Sequence, residues 1–184
     1  MMRAIFGATF GYLIGAALIL LIQQDSINSE LAVLVGYIFG LIGWLIGIGL
    51  GNTWMREWAG LPPKPDMSTG WRRYLRFNID HKVIGIQYGI LFIAVLGLGG
   101  ISAMIMRIEL MRPGQTILTP ERFNQVMSMH GILMVAVAVT ATLGSFGNYL
   151  IPIMIGADDM AFPRLNALSF WLIPPVAVGL LAAP

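Results

Sequence analysis

The stretch VMSMHGILMVAVAVTATLGSFGNYLIPIMI, residues 126–155, contains no Asp, Glu, Lys or Arg, and its one basic group is His130. A helix needs roughly 20 predominantly apolar residues to cross the hydrocarbon of a bilayer. There every backbone amide must be satisfied within the segment, which a helix does by itself. The stretch therefore reads as a transmembrane helix, and that reading sets the class of the whole chain. Comparable apolar stretches lie at 4–22, 31–51, 83–106 and 167–184. None alternates apolar and polar residues as a barrel strand would. Composition agrees: 57% of residues are hydrophobic, 11% are charged and the mean hydropathy is +0.78, where a soluble domain carries about a quarter charged residues. The expected fold is all-α, a multi-pass transmembrane helical bundle with about five spans.

The formal net charge of +2 is too small to suggest nucleic acid as a partner; the distribution of charge says more. Arg56, Lys64, Arg72, Arg73, Arg76 and Lys82 fall between the second and third spans. The connection at 23–30 has only Asp25 and Glu30, and the one at 107–125 has Arg107, Arg112 and Arg122. Cytoplasmic connections carry the excess of Lys and Arg, so 52–82 is expected inside. Alternating spans then put the N-terminus and 152–166 inside, and 23–30 and 107–125 outside. The absence of cysteine removes disulfides and thiolate metal sites and leaves the redox compartment unread. The first segment is long and lacks a small-residue cleavage site before Asp25, so it is expected to span rather than to serve as a removed signal.

This pattern divides the chain into three parts: two N-terminal spans over 1–51, a cytoplasmic polar linker over 52–82, and a second helical part over 83–184. In the first part glycines recur every fourth residue, as Gly7, Gly11 and Gly15 and as Gly43, Gly47 and Gly51. That spacing puts small residues on one helix face and lets backbones approach closely. It suits two helices packed on each other, or a docking face for a partner helix. The linker's LPPKPDMSTG favours extended or turn structure. WRRYLRFNIDHK, residues 71–82, interleaves aromatic and basic residues as a short interfacial helix would.

Ionisable groups inside or bordering a span are the candidates for chemistry. His81 sits at a polar edge, in IDHKVIG, where interfacial structure is the favoured reading. His130 is placed about a turn inside the outer face by the polar run before it; neutral imidazole is a good iron ligand and axial His ligation holds haem. A His bonded to a neighbouring helix fits the spacing equally well. Arg107, ending the third span on the same outer side, suits either a snorkelling cation or a donor to a cofactor substituent. Glu109 is a candidate ion-pair partner for Arg107, or an oxygen ligand for calcium. On the inner side Asn148 stands about 27 Å along the helix from His130, with Asp158, Asp159 and Asn166 beyond it. Amides beside a carboxylate at a membrane entrance can order water and collect protons, although loop acids are commonly just solvated.

HGILMVAVAVTATLGSFGNYLIPIMIGADDMAFPRLNALSFWLIPP, from His130, closely resembles the second core helix of subunit I of the haem–copper oxidases and the connection into its third. DHKVIGIQY and MRIELMRPG resemble that subunit's first core helix and the next loop. The resemblance covers about residues 78–184. It implies that His130 is an axial ligand of the low-spin haem, expected to be haem a, and that Arg107 contacts a substituent of the same haem. It implies that Glu109 matches a carboxylate that in some members binds calcium. Asp159 matches the mouth of a proton channel, with Asn148 and Asn166 lining the entrance. Asp158 replaces the usual Pro, and Ala167 replaces a second Asn.

The high-spin haem and the copper need later histidines, and none comes after His130. The chain is therefore expected to be the N-terminal portion of a longer subunit, inactive by itself, with 1–51 lying outside the family's twelve-helix core. The resemblance further implies proton-pumping oxygen reduction in a complex with other oxidase subunits. Quinol oxidases of the family carry an Arg and an Asp where this chain has Leu98 and Ser102, so cytochrome c is the expected donor rather than quinol. The expected location is the cell inner (plasma) membrane, N-terminus cytoplasmic, rather than the mitochondrial inner membrane. The rival from another class is a non-catalytic membrane scaffold in which His130 is structural.

Overall fold

The computed structural model describes residues 1–23, 30–62 and 70–182. The described residues are helical with no strand. Four helices are long and apolar enough to span a membrane: Met2–Ile22, Glu30–Ile48, His81–Glu109 and the continuous run Pro120–Ile155. The fifth expected stretch is a helix too, α7 (Pro163–Ala182), with its last two residues, 183 and 184, outside the described set. The protein is an all-α, multi-pass membrane protein. Its chain divides into two compact units, Met1–Asn78 and Ile79–Pro184.

In the first unit α1 (Met2–Gln23) and α2 (Glu30–Ile48) form a tight pair, and the glycine stripe is the reason. A Cβ on Gly7 or Gly43 would collide with the other's backbone. On Gly15 it would lie 2.7 Å from the Val35 carbonyl oxygen, and on Gly47 2.5 Å from Ala4 Cα. Backbone atoms cannot rotate away as a side chain can, so only glycine fits. The stripe is thus used up within the hairpin and offers no docking face. Gly51 does not belong to it: Gly49, at φ 108, turns the chain out of α2, and Gly51 meets only Met55. Replacing Gly43 by Leu should separate the two helices at a cost of at least about 1–3 kcal/mol, the usual scale of overpacking. Gly51→Ala should change little. Thermal unfolding of the solubilised chain, followed by helical circular dichroism, compares them.

That turn shortens the second span and places α3 (Leu50–Trp58) where linker was expected. The Phe77 amide donates to the Ile48 carbonyl, 3.1 Å, closing the segment back onto the end of α2. The aromatic–basic stretch forms a 3₁₀ turn over Gly70–Leu75, with Arg73 5.6 Å from the centre of the Tyr74 ring. Residues 63–69, with Lys64 and most of the Pro-rich run, lie outside the described set, as does Asp25.

The second unit is built around α4 (His81–Glu109), capped by Asp80, whose carboxylate accepts from the Lys82 amide at 2.8 Å. Around it pack α5 (Pro120–Ile132), a π-helical segment (Leu133–Ala138), α6 (Val139–Ile155) and α7. Close approach of α4 and α6 again rests on glycine: a Cβ on Gly85 would sit 2.9 Å from Tyr149 Cβ, and one on Gly144 2.7 Å from the Tyr88 ring. Tyr88, Phe170 and Trp171 stack edge to face, centroids 5.1 and 5.2 Å apart, joining α4 to α7. Elsewhere the helices turn large apolar side chains outward, among them Ile93 and Val135 at 70% and 72% exposure. That suits a surface covered by lipid or other helices.

Candidate functional site

His130 lies in the last turn of α5, one residue before Gly131 and just ahead of the π-helical segment. The helix begins at Pro120, with Thr119 as its cap, so Glu121, Arg122, Asn124 and Gln125 occupy its first turns. His130 is half-buried, and its Nδ1 lies 2.8 Å from the carbonyl oxygen of Gly99 on α4. A carbonyl can only accept, so Nδ1 carries the proton and donates. The lone pair is then on Nε2. A histidine whose Nδ1–H is fixed by a backbone carbonyl, with Nε2 left basic, is the usual arrangement of a metal-binding imidazole. The insertion of a π turn beside it is a feature often found at functional sites.

Gly99 is eight residues before Arg107, about 12 Å along α4. α4 ends at Glu109, ten residues after Gly99, so His130 meets that helix nearly three turns inside its end. The face of α4 between them is bare. Gly100, Ala103 and Arg107 fall within about 60° of one another at 100° per residue, and a Cβ on Gly100 would meet nothing within 4 Å. Arg107 is exposed and makes no hydrogen bond or ion pair among the described residues. An imidazole with an open Nε2, a helix face without bulk and an uncommitted guanidinium fit one side of a haem. No cluster of three or more His, Asp or Glu side chains suited to a metal ion occurs among the described residues.

Glu109 does not pair with Arg107. Residues two apart project to opposite sides of a helix, and Glu109 is buried against the following loop instead. Its Oε1 accepts from the Thr116 amide at 2.7 Å, and its Oε2 from those of Ile117 and Leu118 at 2.7 and 2.9 Å. The carboxylate is thus the organiser of the α4–α5 connection. Glu109→Ala would leave three amides without their acceptor. Hydrogen exchange at Thr116, Ile117 and Leu118 should accelerate at least about tenfold, as loss of a charge-assisted bond implies.

At the other end Asn148 is buried, and its Nδ2 donates to the Gly144 carbonyl at 2.6 Å. Asn166, in the first turns of α7, has its Nδ2 buried with no partner among the described residues. Asp159 is half-buried and its Oδ1 accepts from the Met160 amide at 2.7 Å, whereas Asp158 is exposed and makes no such bond. No hydrogen bond joins Asp159, Asn148 and Asn166 to one another among the described residues. They are related through α4, which bonds α6 near Asn148 and, by Tyr88 Oη to Ser169 Oγ at 3.0 Å, the first turns of α7. Ala167, where a second Asn is usual, is completely buried.

His81, expected at a polar edge, is the first residue of α4 and is 3% exposed, with Nδ1 2.9 Å from the carbonyl oxygen of Asn148. Neither this contact nor the Gly99 carbonyl is evident from sequence. Pro152, four residues after Asn148, is the one signal that points to the His81 contact. Ser102 is buried and its hydroxyl donates to the Leu98 carbonyl at 3.0 Å, within its own helix.

Residues 83–184 match the family model described as cytochrome C and Quinol oxidase polypeptide I. The chain is 48% identical over 122 residues to cytochrome c oxidase subunit 1 of Thermostichus vulcanus, covering 66% of this chain and 22% of that protein. It is 45% identical over 113 residues to the Synechocystis sp. protein of the same name, covering 61% and 20%. Cytochrome c oxidase polypeptide 1 of Halobacterium salinarum is 46% identical over 101 residues, covering 55% and 17%. The chain spans about a fifth of the length of these relatives.

Proposed function

The chain belongs to the cytochrome c and quinol oxidase polypeptide I family, and from that premise we propose that it forms the low-spin haem edge and the proton entrance of a terminal oxidase subunit I. The observation that carries this is the Nδ1–H bond of His130 to Gly99, which leaves Nε2 as a ligand atom. In this reading His130 holds the iron of haem a and Arg107 donates to a substituent of the same haem. When bound, the haem supplies one-electron chemistry. The chain's own part is to fix the imidazole's tautomer, to keep bulk away from the face at Gly100, and to place a positive charge beside the site.

On the opposite side Asp159 takes up and releases protons, with Asn148 and Asn166 holding water behind it. The unpartnered Nδ2 of Asn166 supports this, since a buried amide without a protein partner is a common place for an ordered water. The high-spin haem and copper of the complete subunit take ligands from outside these 184 residues. Electrons come from cytochrome c rather than quinol, which the apolar, self-satisfied Leu98–Ser102 pair supports. Oxygen is reduced to water with protons pumped. The partners are other oxidase subunits, in the plasma membrane, with the N-terminus cytoplasmic. Glu109 also keeps an acceptor site for calcium, since three loop amides use three of the roughly four lone-pair sites of its carboxylate.

The experiment is to isolate the complex from its own membranes by a tag on this chain and record the reduced-minus-oxidised spectrum while supplying reduced cytochrome c. A low-spin haem band with oxygen consumption is expected; a complex without haem would leave the scaffold reading. Within that complex Arg107→Met should shift the low-spin band and lower its potential, because a cationic donor withdraws electron density. A change in yield alone, with an unshifted band, would make Arg107 a snorkelling anchor.

A further inference from the structure

Pro152 lies inside α6 and is fully buried. Proline has no N–H, so the carbonyl four residues earlier loses its partner in the helical ladder. That carbonyl belongs to Asn148. In hydrocarbon an orphaned backbone group must find another partner within the protein, and here the partner is the imidazole of His81, sixty-seven residues away and 2.9 Å from the oxygen. The contact faces a carbonyl, so His81 must donate from Nδ1. Asp80 caps the same turn of α4 and fixes where the imidazole begins. We propose that His81 is the surrogate donor of the α6 ladder. Its Nδ1–H takes the place of the amide that Pro152 lacks, and by doing so it positions Asn148 against α4.

The consequence for function rests on the reading of Asn148 as part of the proton entrance. The Asn148 side chain is already tied back to Gly144, so its backbone and its amide are held from two directions. Releasing the carbonyl would free one turn of α6 and displace the amide with it. His81 is thus a positioning residue that acts through Asn148; the histidine need not exchange its own proton.

Three variants in the assembled complex test this. His81→Leu removes the donor. His81→Asn keeps an N–H attached to Cγ, as Nδ1 is, and so restores it. Pro152→Ala returns the missing backbone amide and makes the histidine redundant. The readout is hydrogen–deuterium exchange of peptides covering 144–156. In His81→Leu it should accelerate about tenfold, the scale expected of an unsatisfied buried acceptor. In His81→Asn, and in His81→Leu combined with Pro152→Ala, it should return to near the parent rate. If His81→Leu cannot be recovered, recovery of the combined variant supports the proposal and its loss overturns it.

A ¹⁵N-histidine spectrum should show His81 as the neutral Nδ1–H tautomer, and the opposite tautomer would overturn the assignment. Equal exchange in His81→Leu and parent, or no suppression by Pro152→Ala, would do the same. Proton-coupled oxygen reduction, with the haem band as control, separates the two layers. Exchange suppressed as expected but turnover unaffected would keep the surrogate donor and remove Asn148 from the entrance.

Discussion

In a complex carrying His130→Ala, the low-spin haem absorption is expected to disappear and oxygen reduction to fall by at least about a hundredfold, the scale of losing a ligand that orients a redox centre. The polypeptide should still insert. His130 donates only to Gly99, whose carbonyl is inside α4 and keeps its helical partner, so removing the imidazole orphans no buried backbone group. Loss of spectrum without loss of protein is what separates a ligand from a structural histidine. His130→Met should also abolish the normal band, because a thioether has no N–H for Gly99 and no imidazole nitrogen for iron. An unchanged spectrum and turnover in either variant would leave His130 as a helix-packing residue.

The spans are legible in the sequence because length and apolarity are read residue by residue, and among the described residues all five stretches are helical, the second broken at Gly49. Their ends are less legible. Nothing in the composition of 31–51 marks Gly49 as the residue that adopts a positive φ, so apolarity alone makes the second span too long and α3 looks like linker. The glycine stripe announces close approach but not the partner, which depends on the other helix presenting backbone at the same height. His81 misleads for a different reason. Its neighbours Asp80 and Lys82 are polar and suggest an edge, but the carbonyl it meets belongs to a residue of another helix, sixty-seven positions away. Arg107 and Glu109 are adjacent enough in sequence to suggest a pair, yet the helical period turns them apart. Among the proposed channel residues, Asp159 and Asp158 are neighbours of identical chemistry; only the fold distinguishes the half-buried one from the exposed one.

That distinction makes the second large effect testable. Asp159→Asn should slow steady-state oxygen reduction about a hundredfold, the lower range expected for loss of a proton-transferring group, and should remove pumping. The substitution is close to isosteric, and the amide oxygen can still accept from the Met160 amide as Oδ1 does now. The connection between α6 and α7 should therefore keep its shape, with Gly156 at φ 70 closing α6 and Ala157 donating to the Pro152 carbonyl at 2.9 Å. What is lost is the ability to bind and release a proton, which a carboxylate has and an amide lacks. Both haem spectra should remain intact, since His130 lies 25 residues before Ile155, about 37 Å along the continuous helical run that ends near Asp159. Asp158→Asn is the control: that side chain is exposed and bonds nothing among the described residues, so turnover and pumping should be nearly those of the parent. Should Asp158→Asn be the damaging change while Asp159→Asn pumps normally, the extra acid beside the entrance would be the proton collector, and the Asp159 carboxylate would serve only to hold the Met160 amide.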